Sequence, residues 1–265
     1  AWGLGYFGQP HIIVRFMAVR SVRDVPAMRN IGMGWMGVAL LGAVATGLFG
    51  ATYVARTGAP IDDPETIFVL LAEMLFDPLI TGFLLAALLA AIMSTISSQL
   101  LVSSSSLTED FYRIYLRRDA SQRELVTVGR ICVLLVALVA IWLAYDPENT
   151  ILGLVANAWA GFGAAFGPVV ILSLTWKRLT RNGALAGIVV GAATVLFWIY
   201  APVLEDGATL SSLLYEIVPG FVLGGLAAIL VSLAGPRPPE SVLRTFDESE
   251  AELRAASGRP DRNVD

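Results

Sequence analysis

The sequence predicts an all-α membrane protein, and three observations carry that prediction. Apolar residues fill 56% of the 265 positions and charged residues only 15%, against roughly 25% charged residues in soluble domains. Too few polar side chains remain to coat a water-facing surface, so lipid must solvate much of it. The apolar residues gather into runs of about twenty, the length of helix that crosses a bilayer. When those runs alternate across a membrane, every one of the 18 lysines and arginines except Arg56 falls on a single side, the asymmetry that marks cytoplasmic loops.

The chain opens directly into Trp2-Gly3-Leu4-Gly5-Tyr6-Phe7. That reads as the interior of a membrane segment, so the sequence is expected to be a piece whose upstream part is missing. Gly3, Gly5, Gly8 and Pro10 lie within ten residues and should break the segment's helix. Broken backbone at membrane depth survives only where it is buried or lines a cavity, and broken helices build the binding sites of transporters. Trp2 and Tyr6 are one helical turn apart. Their spacing leaves two readings open: both face such a cavity, or both belong to an aromatic belt at the lipid interface. His11, the only histidine, reads as a hydrogen-bonded structural residue rather than a proton relay.

Six spans follow, at about 30–55, 78–107, 125–145, 150–176, 184–204 and 212–234. Residues 65–77 are too short to cross and read as an amphipathic helix in an outer loop, carrying Glu73. Arg130 lies about a turn inside its span and can snorkel to the membrane edge. The tail from Pro236 is charged, with a short helix expected near Glu248–Ala256. The basic residues place that tail in the cytoplasm. The loops at 56–77, 145–150 and 205–211 then lie outside and hold Asp62, Asp63, Asp146, Glu148, Glu205 and Asp206.

The stretch from Ala91 to Ser98 sets Ser94, Thr95, Ser97 and Ser98 into an apolar run. Hydroxyls and carbonyls are neutral oxygen ligands suited to a small hard cation such as Na⁺. Ser94 and Thr95 stand about 100° apart on a helix, so both can reach an ion at a helix seam. The alternative is that each hydroxyl bonds the carbonyl four residues back on its own helix, the commoner fate of a Ser-Thr pair. Ser103–Ser106 and Thr108 read as a helix leaving the membrane, capped by Glu109 and Asp110. The small residues from Ala158 to Pro168 read as close helix packing, with a moving gate as the sharper alternative.

Other functions find no support. No Cys/His cluster, phosphate loop or nucleophile–base pair is present, so the sequence offers no case for an enzyme. Cys132, the only cysteine, reads as a small hydrophobe. Seven spans could suggest a seven-helix receptor, but the broken opening segment and the hydroxyl run argue otherwise.

Taken together these residues resemble the sodium:solute symporter family, and within it the members that carry proline. The resemblance rests on Gly3-Leu4-Gly5-Tyr6-Phe7-Gly8-Gln9-Pro10-His11, on Leu88–Ser98, and on Ser173-Leu174, Arg178, Gly183-Ala184, Gly187 to Gly191 and Ala193. It runs from Ala1 to about Gly235. The resemblance implies two inverted five-helix repeats with extra helices. Residues 1–234 would be the transporter domain: 1–176 the second repeat and 184–234 two accessory helices, with 235–265 a cytoplasmic tail. The first repeat, the missing N-terminal half, would supply the other wall of the ion site and much of the pocket. By matching position Ser94 and Thr95 would bind Na⁺ through their hydroxyls and Ala91 through its carbonyl. Trp2, Tyr6 and Pro10 would line the site for L-proline, the expected substrate. Proline-carrying members often have Cys where this chain has Ser98. The resemblance implies a Na⁺-coupled symporter in the cell membrane, with no organic cofactor. A symporter for another small organic solute, or a transporter-like sensor module, is the alternative.

Overall fold

A computed structural model describes residues 2–61, 63–145, 150–204 and 207–257. Among them the chain is helical throughout, without a strand. The helices are α1 Trp2–Gly5, α2 Pro10–Met17, α3 Val25–Thr57, α4 Ile67–Leu75, α5 Pro78–Ser105, α6 Gln122–Ala144, α7 Ile151–Thr175, α8 Arg181–Tyr200, α9 Ile217–Ala234 and α10 Glu240–Ser257. A π-helical segment, Ser106–Leu116, continues α5. Six helices are long and apolar enough to cross a membrane: α3, α5 with its extension, α6, α7, α8 and α9. These match the six expected spans. The opening segment is broken, as expected, into α1, a 3₁₀ turn at Tyr6–Gly8 and α2.

The chain divides into two compact units, residues 1–23 with 140–265 and residues 24–139. In the first, α7, α8 and α9 pack closely, and α1 lies against α7. Ala160, Ala164, Val195 and Ile217 form the buried centre. Small residues explain the packing. Gly183, Gly187 and Gly191 recur every fourth residue of α8, facing Gly220, Gly224 and Ala228 of α9. A Cβ on Gly224 would lie 3.0 Å from the Gly187 carbonyl oxygen and 3.1 Å from that of Ala164. Lipid tails are as apolar as leucine, so such close van der Waals contact has to drive association. The preferred reading of 158–168 holds: Ala160, Gly163, Ala164, Ala165, Gly167 and Pro168 are all buried.

In the second unit α4 packs on α3 and α5. The Thr81 hydroxyl donates to the Ala72 carbonyl at 2.9 Å, tying α5 to α4. Asp77 caps α5 by accepting from the Leu79 and Ile80 amides, which satisfies donors that a helix start leaves orphaned. Gly58 ends α3 at φ 65, a left-handed conformation that glycine adopts without a Cβ penalty. Glu73 lies in α4, the short helix expected at 65–77.

Two expectations need correction. The helix of the second span does not end near 107 under a Glu109–Asp110 cap; both acids sit inside the π-helical segment, which runs to Leu116. Polar residues stop a helix from spanning, not from being helical. The tail helix is twice the expected length, Glu240–Ser257. Arg244–Glu248 and Arg254–Glu250 pairs four residues apart support it, as such spacing does. α6 begins at Gln122, and Arg130 lies in its third turn. Of the acids expected outside, Asp62, Asp146, Glu148, Glu205 and Asp206 lie outside the described residues.

Candidate functional site

The first candidate site lies at the break in the opening segment. Gln9 is extended, at φ −86 and ψ 111, and its side chain does not cap α2. The backbone therefore leaves the helix at Gly8 and re-enters it at Pro10. What fixes the break is α7. A Cβ on Gly163 would stand 2.7 Å from the Gly5 Cα, and a side chain on Gly8 would meet the Phe162 carbonyl. Gly5 and Gly8 are buried for that reason. The glycines thus bring the broken backbone against α7, a packing role as well as a helix-breaking one.

Trp159 of α7 organises the aromatic side. Its indole N–H donates to the Trp2 carbonyl at 2.9 Å. Its ring stacks on Trp2 at 5.4 Å and meets the edge of Tyr6 at 4.9 Å. Gln9, buried, donates from Nε2 to the Trp159 carbonyl at 3.3 Å. Trp2 and Tyr6 keep an exposed face, and Pro10 is exposed at the start of α2. The structure therefore gathers Trp2, Tyr6 and Pro10 within one stretch and adds Trp159 and Gln9. Neither was assigned to the site from sequence. Trp159 carried one signal, a large aromatic amid small residues, which the packing reading absorbed. His11 does not behave as expected: its side chain makes no hydrogen bond among the described residues.

A further hydrogen bond holds the first half of α7. The Tyr215 hydroxyl donates to the Ala156 carbonyl at 2.7 Å.

The second candidate site lies on α5, in the other unit. The Thr95 hydroxyl donates to the Ala91 carbonyl at 3.2 Å, and the Ser98 hydroxyl to the Thr95 carbonyl at 2.8 Å. The back-bonded alternative is therefore what Thr95 adopts here. That same bond sets two of the three expected ion-ligand oxygens side by side. The Ser94 hydroxyl makes no hydrogen bond among the described residues, and Ala91, Ser94 and Thr95 are all exposed. No group of three or more His, Cys, Asp or Glu among the described residues could hold a metal; the oxygens of Ala91, Ser94 and Thr95 are neutral carbonyls and hydroxyls.

Residues 1–191 match the model of the sodium:solute symporter family. The chain is 57% identical over 248 residues to a high-affinity proline transporter of Bacillus subtilis, covering 94% of this chain and 51% of that protein. It is 54% identical over 254 residues to an osmoregulated proline transporter of the same organism, covering 96% and 51%. It is 52% identical over 259 residues to a sodium/proline symporter of Escherichia coli, covering 96% and 50%. The chain spans about half the length of the curated relatives it matches. No solved structure matches it.

Proposed function

The chain belongs to the sodium:solute symporter family, and we propose that it forms half of a Na⁺-coupled symporter that imports L-proline. The observation that carries this reading is the broken backbone at Tyr6–Pro10, held open by α7 and faced by Trp2, Tyr6 and Trp159. An exposed aromatic face suits the pyrrolidine ring of proline. The uncapped start of α2 presents the positive end of a helix, where a carboxylate is favoured.

Ala91, Ser94 and Thr95 supply the protein oxygens for the co-transported Na⁺ on this half. The missing N-terminal half would add the remaining ligands and the rest of the pocket. Residues 1–176 would form the second of two inverted repeats, 184–234 two accessory helices, and 235–265 a cytoplasmic tail. Sodium entry down its gradient drives the uptake. One charge crossing 100 mV is worth about 2.3 kcal/mol, enough for roughly fifty-fold accumulation.

The multi-pass membrane chain would lie with its basic loops and tail in the cytoplasm. A cysteine replacing Asp63 should then react with an impermeant thiol reagent in intact cells, and one replacing Asp119 only after lysis.

Uptake of labelled proline by the full-length protein tests the function itself. It should require sodium and resist competition by unrelated amino acids. Sodium-dependent uptake of another small solute in preference to proline would move the assignment within the family. Binding without uptake would favour a sensor module.

A further inference from the structure

A groove of about 310 Å³ lies where the π-helical segment packs beside α6. Ser104, Thr108 and Glu109 line one wall, and Gln122, Val126 and Arg130 the other. Two groups there are left without partners. The Thr108 hydroxyl is buried and makes no hydrogen bond among the described residues. This is unusual for the chain: Thr46, Thr52, Thr57 and Thr127 all donate to the carbonyl four residues back. The wider π-helical turn, a feature that often marks functional sites, replaces that local geometry at Thr108. Gly129 of α6 stands opposite, where a Cβ would lie 3.6 Å from the Thr108 hydroxyl.

Arg130 is the second group. Its guanidinium makes neither an ion pair nor a hydrogen bond among the described residues. Glu109, the carboxylate on the facing wall, is already held by Arg113 at 2.9 Å. Arg117 pairs with Glu124. Arg130 stands about 12 Å along α6 from Gln122, with Val126 and Val133 beside it in the groove, so an apolar stem and a head that can snorkel to the interface both suit it.

We propose that this groove binds the phosphate of an anionic phospholipid, with Arg130 as its charged partner and Thr108 as a hydroxyl donor. A guanidinium pairs with phosphate through two parallel N–H bonds. Leu101, Val126 and Val133 flank the polar groups and give an acyl chain an apolar wall, which a free anion would not use. Basic pockets between membrane helices bind lipid headgroups in this way.

The test purifies the full-length protein with phosphatidylglycerol or phosphatidylcholine added, and counts retained lipid by native mass spectrometry. The wild type should retain phosphatidylglycerol selectively. Arg130→Gln and Thr108→Val should each weaken that retention, by roughly ten- to hundred-fold for the charged partner. Arg130→Lys should keep part of it, and Arg56→Gln all of it, with proline binding in each variant reporting the folded state. Unchanged retention in Arg130→Gln or Thr108→Val overturns the proposal. So does displacement by inorganic phosphate, which would make the ligand a soluble anion. Failure of the wild type to retain phosphatidylglycerol overturns it too, since the rest of the protein would then fill the groove.

Discussion

The helices α7, α8 and α9 differ from α3, α5 and α6 in how they are solvated, although all six are apolar enough to span a membrane. A third of the most apolar window of α7 is buried within the chain, against 6% for each of α3, α5 and α6. The difference follows whether small residues meet a partner helix rather than hydropathy: Gly32, Gly34, Gly37, Gly42 and Gly47 of α3 have nothing within 4 Å of a built Cβ. Glycine and alanine on α7 to α9 let backbones meet, while α3, α5 and α6 present side chains such as Trp35, Leu79 and Phe83 outward. Large apolar groups find nothing better in protein than in lipid, so they do not hold membrane helices together by hydrophobicity alone. The first set is a scaffold that supports itself. The second offers surfaces to lipid or to further helices, and it carries the proposed ion oxygens.

Substitutions should separate the two sets. The largest effect is expected at Gly191, where a side chain would strike the Ala164 backbone. Gly191→Leu should destabilise the protein by about 1–3 kcal/mol or more, the range of overpacked cores. Gly82→Ala on α5 meets nothing within 4 Å and should be neutral or stabilising by up to about 1 kcal/mol through helix propensity. Unfolding in mixed micelles would measure both, and equal losses would erase the distinction between the sets.

A smaller effect is expected at the aromatic cluster. Trp159→Ala removes a stacked and an edge-on ring contact, each worth about 0.5–1.5 kcal/mol. It should weaken proline binding roughly five- to a hundred-fold, with sodium binding changed only through coupling. Trp159→Phe keeps a ring but loses the bond to the Trp2 carbonyl, and should fall between. Binding of labelled proline at saturating sodium would show this. Unchanged affinity in Trp159→Ala would return Trp2 and Tyr6 to the lipid-belt reading.

The smallest effect belongs to the tail. Lys177 pairs with Asp247 of α10 at 2.5 Å, with both side chains about half exposed. Such surface pairs contribute about 0–1 kcal/mol and are screened by salt. Lys177→Ala should therefore shift the melting temperature slightly at low salt and not at high salt. A large, salt-independent loss would mean that the tail is part of the scaffold.

Much of this was legible in the sequence, but unevenly. The six spans and the break at Gly5–Pro10 follow from composition, because lipid and backbone hydrogen bonding leave few alternatives. The ends of helices were less legible. Hydropathy reports where the bilayer stops, whereas α5 and its extension go on through Ser106–Leu116 and α3 starts early, at Val25 with Pro26 in its first turn. Trp159 was visible as a residue but not as a partner, because its contacts with Trp2 and Tyr6 span more than 150 positions. The choice at Thr95 between ion ligand and back-bonded hydroxyl is open to sequence because both use the same oxygen.

That choice decides the mechanism, and a sodium titration of proline uptake by the full-length protein tests it most directly. If Ser94 and Thr95 bind the ion as proposed, Ser94→Ala and Thr95→Ala each remove an oxygen from a charged partner, which costs about 1.5–3 kcal/mol. The sodium needed for half-maximal uptake should rise roughly ten- to hundred-fold. Ser94→Thr and Thr95→Ser keep the hydroxyl and should be milder. Thr127→Ala, which removes a hydroxyl back-bonded to the Arg123 carbonyl as Thr95 is to that of Ala91, should leave the titration unchanged. Proline affinity should fall with the sodium affinity, because coupling is reciprocal, and return in part at saturating sodium. If both alanine variants insert normally and keep the wild-type sodium dependence, the hydroxyls serve only their own helix and the ion is bound elsewhere.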